Sequence, residues 1–332
     1  MIVSRAPFRF SLGGGGTDLP AYYRQHGGFV VSAAIDSYMY VTANRRFYPS
    51  IRLAYSVTEI VERVSDIRHP IFREALSMVG ISSGIELTSV ADLPSNSGLG
   101  SSSSFTVALL NALYAYKREF ATRERLAREA CELEMDRLGE PVGKQDQYIA
   151  AYGNVTALRI AGDGSVEVEP VPIQPGVLQQ LSDNLLIMYS GVERPAKLVL
   201  TEQSERVARA DPVVLEGMHR IKALGLEVYE LLVRGKLDRY GELLDEHWQH
   251  KRRLASRMTD DTLDQHYAAA RQAGAVGGKL IGAGGGGFFM LYVRKSERAR
   301  VQAALMVRGL QPLPFRFDLE GARILLNPRR PT

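Results

Sequence analysis

Three loops rich in glycine or serine, together with two carboxylates, are the parts of this sequence whose residue types and spacing could do chemistry. The run PSNSGLGSSSS, residues 94–104, is the richest of them. Residues 85–90 before it alternate like a half-buried strand, and residues 105–116 after it are apolar at helical spacing, so the run opens a helix. The first turn of a helix has backbone N–H groups without intrahelical partners and carries roughly half a positive charge, which favours an anion. Gly98 and Gly100 let the backbone approach a ligand, while Ser101, Ser102, Ser103 and Ser104 offer hydroxyls to phosphate oxygens or to a cation. A serine-rich cap on a flexible loop has the same composition. It is the strand-loop-helix setting that points to phosphate.

Glu134 and Asp146 follow. Standing alone, an acidic pair at this spacing reads as solvated charge. Beside a phosphate loop it gains a meaning, because phosphoryl transfer needs a divalent cation held by oxygen ligands and a group that orients or deprotonates the nucleophile. The other two loops are GGGGTD, residues 13–18, and GAGGGG, residues 282–287. Glycine costs roughly 0.5–1 kcal/mol against alanine in regular structure, so two runs of consecutive glycines imply that something needs the backbone bare.

Two competing motifs fail. Each Gly-Lys pair (Gly143-Lys144, Gly235-Lys236, Gly278-Lys279) is followed by Gln or Leu, so no GxxxxGK[ST] loop exists. Residues 282–287 satisfy G-x-G-x-x-G literally, but they lead into the strand-like residues 288–293, where a dinucleotide fingerprint requires a helix.

The elements that must hold these loops belong to a chain of 332 residues, 45% apolar and 23% charged, long enough for two domains. Lys and Arg outnumber Asp and Glu by 41 to 37 without a basic tract or aromatic platform, which argues against nucleic acid and suits an anionic small substrate. The single Cys131 excludes an intrachain disulfide and reads as core filler. No apolar run approaches ~18 residues and the N-terminus has no secretory pattern, so a cytoplasmic location without a membrane partner is expected. The sequence leaves a homo-oligomer open.

Residues 2–10, 29–35, 38–46 and 51–55 read as strands, and helical patterns dominate 105–152. Strands at 155–160 and 166–168 flank a turn, and a proline-rich stretch (Pro170, Pro172, Pro175) precedes a strand at 185–189. A boundary at 170–185 divides the chain into domains 1–180 and 181–332. Four helical stretches follow (195–209, 212–234, 237–257, 261–274), then further strands, an α+β arrangement rather than an extended βαβ series.

Taken together, the motifs resemble those of the GHMP kinases, over nearly the whole length. APFRFSLGGGGTDL from Ala6 is similar to that family's first motif, PSNSGLGSSSS to its second and KLIGAGGGGF from Lys279 to its third. The resemblance implies an N-terminal domain like the second domain of ribosomal protein S5, a C-terminal ferredoxin-like domain, and ATP and Mg²⁺ as cofactors. It implies further that Ser97, Gly98, Leu99, Gly100, Ser101 and Ser102 wrap the ATP phosphates. Ser102, or else Ser101, would reach Mg²⁺ together with Glu134. Asp146 would accept the proton of the sugar hydroxyl, Arg9 would lie beside it, and Gly14, Gly15, Gly16, Thr17, Asp18, Gly284 and Gly285 would surround the sugar.

The first motif departs from the Gly-Glu-His-Thr-Asp type of galactose kinases. It looks instead like the family's branch of heptose 7-phosphate and fucose kinases, which act on the anomeric hydroxyl. GGFVVSAAIDSYMYV after Gly27 and His247-Trp248-Gln249-His250-Lys251 favour the heptose members, which make a 1,7-bisphosphate for bacterial surface glycans. A sugar phosphate needs a cationic partner, for which Arg194 and Lys197 are the candidates. His247, Trp248 and Lys251 are candidate ligands or, at i and i+4, the packed face of a helix. A free-sugar kinase and a non-catalytic sensor that keeps its binding loops remain the alternatives.

Overall fold

The structure, a computed structural model, describes residues 1–94, 98–192 and 196–327. β1 (Ile2–Gly13), α1 (Pro20–His26), β2 (Gly28–Arg45), β3 (Ile51–Ala54), β4 (Thr58–Val61), α2 (Pro70–Val79) and β5 (Ile85–Ala91) precede the serine-rich loop. After it come α3 (Ser101–Tyr116), α4 (Arg123–Cys131), α5 (Gln145–Tyr152), β6 (Val155–Ile160), β7 (Val166–Pro170) and α6 (Pro175–Asn184). The remainder runs β8 (Leu185–Tyr189), α7 (Ala196–Ala208), α8 (Pro212–Arg234), α9 (Tyr240–Lys251), α10 (Asp261–Gln272), β9 (Ala275–Leu280), β10 (Phe288–Val293), α11 (Arg298–Met306), β11 (Gln311–Pro312) and β12 (Arg323–Leu326).

Two sheets result, in the α+β arrangement expected. The first has the order β12-β1-β2-β5-β3-β4, and β6 and β7 extend it from the other half of β2. β2 is long enough to pair β6 through residues 28–33 and β5 through residues 39–45 on one edge. The sequence suggests two strands here, broken at Asp36-Ser37. The break is absent because β1 shifts register between Pro7 and Phe8, and because residue 316 takes up the polar pair: Asp36 N–H donates to its carbonyl and Asp36 Oδ1 accepts from its N–H. α1 and α2, both opened by proline, were not anticipated, nor was the return of β12 to the first sheet.

The second sheet has the order β11-β8-β10-β9, all antiparallel. With helices between β8 and β9 and α11 between β10 and β11, this is the β-α-β-β-α-β path of a ferredoxin-like unit. One apolar core joins the sheets: Phe8, Phe10 and Leu12 of β1 pack with Leu224 and Val228 of α8 and with Ile187 and Met290 of the second sheet. α3 is the axis of the first half. Every residue from Ser103 to Tyr114 is buried, as befits a helix apolar on all sides, so its N-terminus is held rigidly at the junction of the two sheets.

Candidate active site

The N-terminus of α3 is fastened to β1. Ser104 Oγ donates to Pro7 O (2.7 Å), and Arg9 N–H donates to Leu99 O (3.1 Å). Gly98 and Gly100 have φ of +80° and +81°, a region L-residues rarely enter. At Gly98 a Cβ would lie 3.0 Å from Ile281 O, so the second loop touches the third; at Gly100 it would lie 3.1 Å from Asp146 Oδ2. Both glycines are therefore required by close approach as well as by φ.

Arg9 is 4% exposed although it sits in mid-strand. Its guanidinium uses three of its five N–H groups: Nε donates to Asp146 Oδ1 and Nη2 to Asp146 Oδ2, each at 2.7 Å, while Nη1 donates to Gly98 O at 2.7 Å. Asp146, in the first turn of α5, is partly open to solvent. Two fork bonds fix its carboxylate plane and leave a lone pair on each oxygen for a substrate.

Glu134 lies one layer behind, in a π-helical turn (Glu132–Arg137) that continues α4. Such turns are rare and cluster at functional sites. Its carboxylate is buried and accepts from Ser103 Oγ (2.8 Å), Thr106 Oγ1 (2.6 Å) and Gln147 Nε2 (2.8 Å). The serine brought to Glu134 is thus Ser103, which also lines the cavity; Ser101 and Ser102 line it too, without bonding the carboxylate. Desolvation raises the Glu134 pKa to about 7 against the three hydrogen bonds. Gln147 Oε1 beside it is buried without a partner. A buried carboxylate with hydroxyls and an orphaned carbonyl oxygen is an oxygen-rich setting that suits a hard cation. Among the described residues no group of three His, Cys, Asp or Glu side chains gathers, so a cation here would rest on Glu134, hydroxyls and oxygens of its ligand.

Asp18 is buried and its pKa is raised, chiefly by desolvation; the N–H groups of Gln145 and Gly16, each 3.0 Å away, oppose the shift. Gly143 has no room for a side chain, because any Cβ would overlap the Asp18 carboxylate. Thr17 is a staple of the loop rather than a wall of the cavity: Oγ1 lies 2.7 Å from Gly14 O and 2.9 Å from Phe29 O. Gly14 likewise faces the Phe29 carbonyl and Gly225 of α8.

A cavity of about 170 Å³ is lined by Arg9, Gly15, Gly16, Asp18, Asp146 and Ser101, among others. The third loop contributes Gly282 and Ala283 to its wall. Gly284 and Gly285, named from the motif, instead pack on Met258, whose carbonyl accepts from Gly285 N–H (2.8 Å). Lys197 pairs with Glu140 at 3.2 Å on the surface. Ser97 and Arg194 lie outside the described residues. Residues that sequence reasoning passed over include Gln145 and Gln203 of the cavity wall, which carry no motif; Lys251, a candidate ligand from the HWQHK segment, lines the same wall. On the far side of Ser101 and Ser102 a second cavity of about 410 Å³ is lined by Tyr55, His69, Val90 and Phe105.

A serine- and glycine-rich loop at a helix N-terminus and a fixed carboxylate facing one cavity, with a buried carboxylate one layer behind, suit a phosphotransferase. Residues 58–154 match the family model for the GHMP kinases N terminal domain and residues 228–308 that for GHMP kinases C terminal. The chain belongs to the GHMP kinases and is an ATP-dependent sugar kinase. It is 28% identical over 334 residues, covering 97% of this chain and 98% of the relative, to the D-glycero-alpha-D-manno-heptose 7-phosphate kinase of Campylobacter jejuni. It is 26% identical to the L-fucokinase/L-fucose-1-P guanylyltransferase of Bacteroides fragilis, over 95% of this chain and 37% of that one. Its fold matches the solved structure of a D-glycero-D-manno-heptose 1-phosphate kinase from Bacteroides thetaiotaomicron with a TM-score of 0.82, at 24% identity over 98% of this chain and 99% of the other.

Proposed function

We propose that the protein transfers the γ-phosphoryl group of MgATP to the anomeric hydroxyl of D-glycero-D-manno-heptose 7-phosphate, giving the 1,7-bisphosphate and ADP. The observation that carries the sugar's identity is the end-to-end match to the Campylobacter jejuni heptose 7-phosphate kinase. The geometry supports the chemistry. Asp146, its plane set by Arg9, takes the proton of O1 as the O1–Pγ bond forms and the bond from Pγ to the bridging oxygen of ADP breaks. Arg9 and the N–H groups of Gly98, Leu99, Gly100, Ser101 and Ser102 offset the charge on the phosphoryl oxygens. Glu134 would hold Mg²⁺, with Ser103 the hydroxyl nearest to hand and Ser102 or Ser101 reaching it from the cavity side; the cation would supply positive charge against the negative charge developing in the transfer. Asp18, Gly15 and Gly16 would hold sugar hydroxyls, and the second cavity, beyond the same serines, would take the nucleoside.

In this division residues 1–180 would form the ATP-binding domain, whose first loop also holds the sugar, and residues 181–332 the C-terminal domain. Consumption of ATP would place the enzyme in the cytoplasm, supplying a precursor of surface polysaccharide; among the described residues no helix is long and apolar enough to cross a membrane. ADP formation measured with the heptose 7-phosphate, the unphosphorylated heptose and L-fucose tests the proposal. Fastest turnover is expected on the heptose 7-phosphate. Preference for L-fucose would replace it by a fucose kinase, and absence of sugar-dependent ADP by a sensor.

A further inference from the structure

One buried cationic group is left unused by the chemistry above. Lys251, the last residue of α9, is 7% exposed, lines the first cavity, and gives N–H bonds to Leu280 O (3.0 Å) and Gly282 O (2.6 Å). No carboxylate pairs with it among the described residues. Lys279 of β9 and His247, one turn earlier on α9, are buried nearby, and burial pushes both well down towards neutrality, with the Lys251 charge adding to the effect. Lys251 itself is lowered to about 7, by desolvation first and the Arg9 charge second. Of the three it is the one with two carbonyls to stabilise a proton and an opening onto the cavity.

Contacts fix its place relative to the phosphate loop. Gly282, whose carbonyl Lys251 holds, abuts the Gly98 backbone, and Gly98 O accepts from Arg9 Nη1. Lys251 and Arg9 therefore flank the junction of the second and third loops, whereas Asp18 and Gly143 belong to the first-loop side. An ammonium has three N–H groups, and a desolvated one with an N–H to spare and no carboxylate is matched by an oxyanion.

Resting on the kinase reading above, we propose that Lys251 donates its third N–H to a non-bridging oxygen of the ATP γ-phosphoryl group and holds it in line for transfer. No bond to Lys251 forms or breaks. Its carbonyl bonds also make the third loop the rigid mount of that N–H, so that the C-terminal half of the chain takes part in phosphate binding through α9.

The test is calorimetric binding of MgAMPPNP and of MgADP, without sugar, to the wild type and to Lys251→Met, which keeps the apolar stem. Hydrogen bonds to charged groups are worth ~1.5–3 kcal/mol, so the variant should lose MgAMPPNP affinity by roughly 10–150-fold while MgADP affinity is unchanged. Equal losses on both nucleotides would overturn the proposal and make Lys251 a support of the loop. Unchanged MgAMPPNP binding with a raised KM for the sugar phosphate alone would overturn it in favour of the phosphate that stays on the sugar. A wild type that binds neither nucleotide would instead refute the kinase reading itself. If Lys251→Met does not fold, ¹⁵N-lysine NMR of the wild type, assigned with Lys251→Arg, gives the same decision: the Lys251 resonance should move with MgAMPPNP and not with MgADP, and movement with both or neither overturns the proposal.

Discussion

Arg9 on β1 and Asp146 on α5 meet through two hydrogen bonds of 2.7 Å across 137 residues of sequence, and the guanidinium's remaining contact is to the phosphate loop at Gly98. One side chain thus fixes both the Asp146 carboxylate and the backbone of the serine-rich loop.

Asp146→Asn keeps the shape of this pair and removes the proton acceptor. Loss of a general base commonly costs ~10²–10⁴-fold, so kcat should fall by that order while MgATP binding stays near the wild-type value. A variant with most of its turnover intact would show that Asp146 only positions Arg9.

Glu134→Gln should raise the Mg²⁺ concentration needed for half-maximal rate, since an amide is a weaker ligand for a hard cation than a carboxylate. With its oxygen in the Oε2 place the amide still accepts from Ser103 and Gln147, and its NH2 donates to Thr106 Oγ1, whose hydroxyl turns to Ser102 O, so the fold should survive. An Mg²⁺ titration identical to that of the wild type would make Glu134 a structural residue.

Gly143→Ala is the sharpest probe of the sugar side. Its Cβ would overlap the Asp18 carboxylate, which must then move from the Gly16 and Gln145 N–H groups. Steady-state kinetics should show KM for the sugar rising severalfold with KM for ATP unchanged. The opposite split would place Asp18 with the nucleotide.

The glycine loops were legible in the sequence because nothing but a bare backbone explains four glycines in a row, whereas Asp146 became a candidate only through the family resemblance, an isolated carboxylate having no signal of its own. Ser103 and Gln203 were not legible. Which serine of SSSS turns towards Glu134 depends on the π-helical turn after α4, a one-residue change of pitch that leaves the apolar pattern of residues 122–138 nearly unaltered. Gln203 is buried on α7 against Met218 with no periodic or motif signal. β12 escaped because a short exposed strand at the end of a chain has no pattern of its own; its place is set by the edge of β1.

Lys251 gives a pH dependence with a definite sign. Its pKa falls from 10.5 to about 7 on folding, so between those values the unfolded chain holds a proton that the native one does not, and stability gains with rising pH. Lys251→Met lacks that gain. The difference in Tm between variant and wild type should therefore shift in favour of the wild type as pH rises from about 7 towards 10.5. A difference constant across that window would mean that Lys251 keeps an ordinary pKa.

The proposed reaction is a phosphoryl transfer to the anomeric oxygen of a heptose that already carries a phosphate. Phosphorus NMR of a reaction holding the protein, MgATP and D-glycero-D-manno-heptose 7-phosphate reads it directly. A new phosphate resonance coupled to the anomeric proton should grow in step with ADP while the 7-phosphate resonance persists, and faster than any product from the unphosphorylated heptose or L-fucose. Sugar-independent ADP alone, or faster conversion of an unphosphorylated sugar, would contradict the account.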